Sequence, residues 1–310
     1  MRDINRVSDF SRLRARKNDK LLINNLSSLL QLIMTTDLEK VQHYGKAIKD
    51  IKNQTLEVCL EAVNQDCFLL EYVRDQTDDI CIAAVRENGF ALKHVKNQTE
   101  AICWEATRQN PLALKYVKNK TDDMIIGAVD ENGLALEFIK KQTKETCLMA
   151  ILRDCHALRY VREQTEELCL EAVKQNGYVL KHAKDQTREI CLEAVRQNGE
   201  ALQHVKEQTE EICIEAVRKY GNALQYVKEK TNEICIKAVK QNGHALWYIE
   251  EQTEELCAIA IMNPHYNSWG SRSLELGNKE RLNDIKDKKM RKVCKKYLAT
   301  RFLKTKSAKK

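Results

Sequence analysis

Proline is nearly missing from this chain, with two residues in 310, and glycine occurs only ten times. That scarcity excludes a collagen-like chain and argues against a β-rich one. No run of about 18 apolar residues occurs, so no membrane-spanning helix is expected. The most apolar stretch, Leu21 to Met34, is interrupted by Asn24, Asn25, Ser27, Ser28 and Gln31. Arg12, Arg14, Arg16 and Lys17 ahead of it give a loose likeness to a targeting leader, but a small-residue cleavage signature is missing. No Cys-x-x-Cys pair occurs, and no Cys/His cluster has the spacing of a zinc site. Nor is there a Walker-type glycine loop, a GxGxxG, an HExxH or a GxSxG. The expectation is a protein that is not an enzyme, with no catalytic residue, no cofactor and no metal.

What is present is a period. Threonine stands at Thr55, Thr77, Thr99, Thr121, Thr143, Thr165, Thr187, Thr209, Thr231 and Thr253, every 22 residues without an insertion. Counting from each threonine, cysteine occupies offset 4 in nine of ten copies, with Ile125 the exception. Alanine occupies offset 7 in all ten, and leucine offset 15 in all nine complete copies. Self-similarity at a short fixed period means a stack of one supersecondary unit.

In the copy at residues 187–208, Thr187 stands where a helix N-cap would, and Glu189 favours the positive end of the helix dipole. Ile190, Cys191, Ala194 and Val195 share one helical face. Asn198-Gly199 reads as a C-terminal stop in which glycine takes the left-handed conformation. A second helix of about eight residues then carries Ala201, Leu202 and Val205 inward and ends near Lys206. Helices this short are marginal alone, so stacking on neighbours must stabilise them. The fold class is therefore all-α: an α-α superhelical solenoid of about ten 22-residue helical hairpins.

Three segments follow: residues 1–32 as a basic and apolar lead-in, residues 33–263 as the repeat array, and residues 264–310 as a linker with a basic amphipathic helix and a disordered tip. Residues 33–54 read as a degenerate cap copy, with Ile33 in place of threonine. The 22-residue register is lost at Asn263-Pro264. Residues 279–310 hold 14 Lys or Arg against 3 Asp or Glu, a net of +11, whereas residues 1–278 carry a net of −4. The cysteine series is expected to be reduced and buried, because neighbouring helices lie about 8–10 Å apart and a disulfide needs closer Cα atoms.

The recurrent strings Leu170 to Gly177 (LEAVKQNG) and Leu114 to Thr121 (LKYVKNKT) give the unit its signature. It resembles a helical repeat family classed as a domain of unknown function and abundant in giant-virus proteomes. The resemblance covers about residues 33–263. It implies a helical repeat protein of viral lineage, acting inside the host cell, and carries no activity to transfer.

Two functional readings compete. In the first, the chain is a non-catalytic protein-interaction scaffold whose partner binds columns that vary on a constant frame. Offset 16, where Glu71, Lys93, Lys115 and Trp247 stand, is one such column, and offset 13 is another. Offset 17 alternates Tyr, Phe and His as a ring that packs while its polar tip meets water. The candidate anchors are Tyr72, Tyr116, Tyr160, Tyr226 and Tyr248 at offset 17, with Tyr178 at offset 13 and Trp247 at offset 16. In the alternative, the C-terminal helix binds nucleic acid through Lys288, Lys289, Arg291, Lys292, Lys295, Lys296 and Arg301, or else caps the open end of the array. The location expected is the cytoplasm of the host cell, with the nucleus as the alternative that the basic tip raises.

Overall fold

In a computed structural model of the chain, every threonine of the series starts a helix. The structure describes residues 36–262, 282, 285–289, 291, 292, 294 and 295; the lead-in and the basic tip lie outside them. The Thr187 hydroxyl accepts from the Ile190 N–H at 3.3 Å, and the other nine threonines cap the residue three positions on in the same way. Each cap opens an α-helix of ten residues, such as Arg188–Gln197, except for the last, Glu254–Met262, which has nine. Ile190, Cys191, Leu192, Ala194 and Val195 are buried, as the spacing predicts.

The second element of each copy departs from the expected eight-residue helix. It is a 3-10 helix of six residues, Gly199–His204 in the Thr187 copy. The Asn198 side chain caps it by accepting from the Glu200 N–H at 3.0 Å, with Asn198 itself extended at φ −145°. The tighter winding and poorer geometry of 3-10 helices keep them short. The backbone becomes extended at Val205, whose N–H closes the last turn on Leu202 O at 3.1 Å.

Glycine is needed here for a reason other than the one the sequence suggests. None of Gly45, Gly89, Gly133, Gly177, Gly199 and Gly221 has a left-handed φ. Instead the next copy presses on it. A Cβ on Gly199 would stand 2.6 Å from Ala216 O and 2.8 Å from Tyr220 Cβ; on Gly221 it would stand 2.7 Å from Ala238 O. Cys67, Pro111 and Cys155 hold the same position in three copies, and Pro111 is the first residue of its 3-10 helix, where a missing N–H costs little.

The two elements of a copy enclose one core. The offset-15 leucine is fully buried in all nine copies, and the offset-7 alanine is buried in all ten. Each such leucine contributes about 1.5–3 kcal/mol by leaving water. Within each of the chain's two compact units, α-helix packs on α-helix and 3-10 helix on 3-10 helix from copy to copy, as in an α solenoid, and no strand occurs among the described residues.

A glutamine one residue before eight of the ten threonines joins neighbouring copies. Gln186 Nε2 donates to Leu180 O at 3.2 Å and to His204 O, in the next copy, at 3.0 Å. Its Oε1 accepts from the Lys206 N–H at 2.9 Å and faces Cys191 Sγ at 3.9 Å. Gln76, Gln142, Gln164 and Gln208 repeat the pattern. One uncharged side chain thus satisfies backbone groups of two copies that would otherwise face a partly dry interface.

The chain forms two compact units, Met1–Glu131 and Asn132–Lys310. In the first, the degenerate cap copy begins at Thr36, which forms a reciprocal capping box with Glu39 at the head of Asp37–His43. Gly45, Ile48 and Ile51 are then back in register and buried. In the second unit, part of the lost register returns. Lys286 N–H donates to Gln252 Oε1 at 2.9 Å and Lys286 Nζ donates to Ile249 O at 2.8 Å. These are the bonds that Lys96 makes with Gln76 Oε1 and Val73 O. Leu282 and Ile285, spaced from Lys286 as Leu92 and Val95 are from Lys96, are buried. The segment after Pro264 therefore supplies the second element of one more copy, displaced by 14 residues from the period.

Candidate interaction face

The 3-10 helices carry the varied positions, and their short pitch decides how those positions sit. The offset-14 and offset-15 side chains point into the core, offset 16 is exposed in all nine copies, and offsets 13 and 17 are half-buried on either side. The rings of offsets 13 and 17 meet between copies. Phe68 packs edge-to-face on His94 with centroids 6.0 Å apart, Phe90 on Tyr116 at 6.0 Å, and Tyr178 on His204 at 5.9 Å. Such pairs add about 0.5–1.5 kcal/mol beyond burial. Cations lie over several rings: Lys49 Nζ is 4.1 Å from the Tyr72 centroid, Lys93 Nζ 4.6 Å from Phe68, and the Arg159 guanidinium 4.5 Å from Tyr160.

Of the candidate anchors, Tyr72, Tyr116, Tyr160, Tyr178, Tyr226 and Tyr248 are half-buried, and Trp247 is 59% exposed. Tyr178 is already engaged, its hydroxyl donating to Glu200 as well as its ring packing on His204. Burial, reinforced by Lys93 and Lys181, lowers the proton affinity of His94, His182 and His204, so these rings stay neutral near pH 7. The face is a platform of neutral rings with interchangeable side chains standing on it.

The offset-19 cations, read from the sequence as suiting a helix C-terminus, serve the backbone. Lys184, Lys206 and Lys228 each reach back one copy, donating Nζ to Arg162 O, Lys184 O and Lys206 O at 2.6, 2.6 and 2.9 Å. The second helix ends two residues earlier than expected, which frees these side chains to cross the interface. The cysteines are free and buried. Burial pushes their thiols up, Cys81, Cys213 and Cys257 to about 11.

In the C-terminal segment, Lys288, Lys289, Lys292 and Lys295 are exposed, and Cys294 is buried. Arg291 belongs elsewhere: its Nε and Nη2 donate to Ile285 O at 3.1 and 2.5 Å, turning the guanidinium inward. Lys296 and Arg301 lie outside the described residues.

Sequence reasoning missed three features. The glutamine stitch had a signal, since glutamine holds that offset in eight of ten copies. Trp104, 38% exposed, lines an outer cleft of about 390 Å³ with Ile82, Ala101, Glu105 and Arg108. Asp154, Cys155 and His156 bring three potential ligand atoms within 4.8 Å of one another. No helix among the described residues is long and apolar enough to cross a membrane.

A family model described as a domain of unknown function (DUF4116) matches the chain three times, over residues 55–100, 165–208 and 209–253, each match spanning about two 22-residue copies. No curated protein and no solved structure matches the chain.

Proposed function

We propose that this chain, in which residues 55–100, 165–208 and 209–253 match the family model described as a domain of unknown function (DUF4116), is a non-catalytic scaffold that binds a protein partner through its 3-10 helices. The observation that carries the reading is offset 16. It is exposed in every complete copy and ranges over Glu, Lys, Arg, Gln and Trp, while the buried offsets 7 and 15 keep one residue type each. Aromatic anchors with interspersed cations suit protein recognition, since Trp, Tyr and Arg dominate interface energetics. Trp247 is the anchor with the most free surface.

The test is capture of partners from lysate by the full chain, repeated with Trp247→Ala and with Lys93→Glu plus Lys115→Glu. The expected result is loss of a partner with these variants and its retention with a control on the opposite face, Arg196→Glu, with far-UV circular dichroism unchanged in all. A partner lost equally with Arg196→Glu, or turnover of a small molecule by the purified chain, overturns the reading.

The second reading, binding of nucleic acid, is favoured by the four exposed lysines Lys288, Lys289, Lys292 and Lys295, on a segment in which Cys294 is buried. Affinity would fall with salt, at about −0.9 per phosphate neutralised on a log–log plot for duplex DNA. Lys288→Glu plus Lys289→Glu plus Lys292→Glu would abolish it. A giant-virus origin belongs to the proposal through the family resemblance, and an intracellular setting through the free thiols.

A further inference from the structure

Asp154, Cys155 and His156 stand at offsets 11, 12 and 13, the connector into the 3-10 helix. Most copies place Asn, Gly and a ring or polar residue there. Here the cap is a carboxylate, the glycine is a thiol and the third residue is an imidazole. Three donor types that bind borderline metals are thereby side by side, on a connector held in place by neighbouring copies.

The contacts converge on one atom. His156 Nδ1 lies 3.0 Å from Asp154 Oδ1 and 3.7 Å from Cys155 Sγ. Asp154 Oδ1 also accepts the His156 N–H at 2.8 Å, which fixes the carboxylate in its capping place. A catalytic relay would use the two ring nitrogens separately, one for the acid and one for the thiol. Here both approach Nδ1, so no relay is possible, and with Nδ1–H donating to the carboxylate the thiol sulfur is at most a weak second acceptor on the same N–H. A cation bonded to all three would use each donor in full. Donors at about 2.0–2.3 Å from a tetrahedral zinc are about 3.3–3.6 Å apart; the two separations from His156 Nδ1 lie on either side of that range, and all three donor atoms fall within 4.8 Å of one another.

We propose that Asp154, Cys155 and His156 form a binding site for a borderline transition-metal cation of the zinc class. One carboxylate is too few for a calcium or magnesium site, which needs several oxygen ligands. Thiolate and imidazole select the softer class. The positive side chains of Arg159 and Lys181 nearby, both of which act on His182, work against a site held by charge alone. Half of the imidazole is exposed, which leaves a path for the ion. On binding, the Cys155 thiol gives its proton to solvent as the sulfur–metal bond forms.

The chain contains its own controls. Cys67 follows Asp66 in the Thr55 copy, but Phe68 stands where His156 does, so that copy has two donors of the three. Glycine is the commonest residue at the position of Cys155. Cys155→Gly and His156→Phe therefore introduce residues that other copies carry at those offsets.

The full-length reduced chain would be titrated with Co²⁺ alone, read by the thiolate-to-cobalt charge-transfer band. Zn²⁺ affinity would be measured by competition with a chromophoric chelator, with folding followed by circular dichroism. The expected result is one equivalent of cobalt with a thiolate band, absent in Cys155→Gly, and zinc affinity reduced at least ten-fold in His156→Phe. No thiolate band in the unaltered chain overturns the site. So does an unchanged band in Cys155→Gly, or undiminished zinc affinity in His156→Phe, since the metal would then be held by other thiols.

Discussion

Replacing Gln186 by alanine tests whether copies are joined through the glutamine stitch or by apolar packing alone. The substitution removes two bonds donated by Nε2 and one accepted by Oε1, and it leaves Leu180 O, His204 O and the Lys206 N–H without that partner. At about 1 kcal/mol net for each ordinary hydrogen bond, the upper figure is about 3 kcal/mol. The Lys206 N–H lies toward solvent, where water replaces part of the loss, so about 1.5–2.5 kcal/mol is expected. Gln186→Lys is the internal comparison. Lysine holds this offset at Lys120 and Lys230, where Nζ donates to Val117 O at 2.7 Å and to Val227 O at 3.2 Å. It restores one donor and no acceptor, so its cost is expected to be smaller, about 1 kcal/mol. Urea unfolding followed by circular dichroism gives the global value. Repeat arrays are not always two-state, so hydrogen exchange at the Lys206 amide gives the local one. The stitch is refuted if Gln186→Ala lies within about 0.5 kcal/mol of the unaltered chain and the Lys206 amide exchanges no faster.

Thr187→Ala removes an N-cap and the hydroxyl donated to Glu166 at 2.6 Å; a loss of about 1 kcal/mol in urea unfolding is expected. Gly199→Ala forces a methyl against Ala216 O and Tyr220, and should cost about 1–3 kcal/mol by overpacking; a neutral result would mean that the next copy moves away freely. Burial raises the thiols of Cys81, Cys213 and Cys257 from 9.0 to about 11, so the folded chain keeps protons that the unfolded chain releases. Their contribution is complete below about pH 9 and is lost as the pH rises through about 11. The urea midpoint should fall between about pH 9 and about pH 11, and less steeply in Cys213→Ala; equal slopes would contradict the assignment.

The first helix of each copy was legible because its signals are local. A capping threonine, an acidic first turn and apolar residues at three and four apart need no knowledge of neighbours, and all three recur ten times. The second element was misjudged for the opposite reason. The inward positions Ala201, Leu202 and Val205 fit an α-helix or a 3-10 helix, and the choice rests on Asn198 capping the turn and on Val205 becoming extended. The glycine was recognised as required, yet the close approach of Ala216 O belongs to a residue 17 positions away. The role of Lys206 was likewise hidden, because its partner, Lys184 O, is one copy back. At the candidate face, the exposure of offset 16 was anticipated from its variation, whereas the pairing of offset 13 with offset 17 across copies came from packing. The cluster at Asp154 escaped because metal-ligand spacing rules look for separated pairs, and three consecutive donors match none of them.

The same stitch explains where the period can break. Gln252 still finds a backbone N–H at the expected place, though the donor is now Lys286, 34 residues on in place of the usual 20. Leu282, Ile285 and Lys286 keep the mutual spacing of offsets 15, 18 and 19, so the added 14 residues must fall between the last α-helix and this second element. In an internal copy that connector carries the Asn cap and the glycine on which the next copy rests, and an insertion would disrupt both. At the end of the array that constraint is relaxed, while the bonds from Gln252 and to Ile249 O remain available to any chain that returns with a leucine, an isoleucine and a lysine in order. Lys286→Ala should therefore loosen the residues from Leu282 to Cys294 without unfolding the preceding copies. Hydrogen exchange would show faster exchange confined to that segment; an equal increase in the Thr209 copy would mean that the segment stabilises the whole unit rather than completing its last copy.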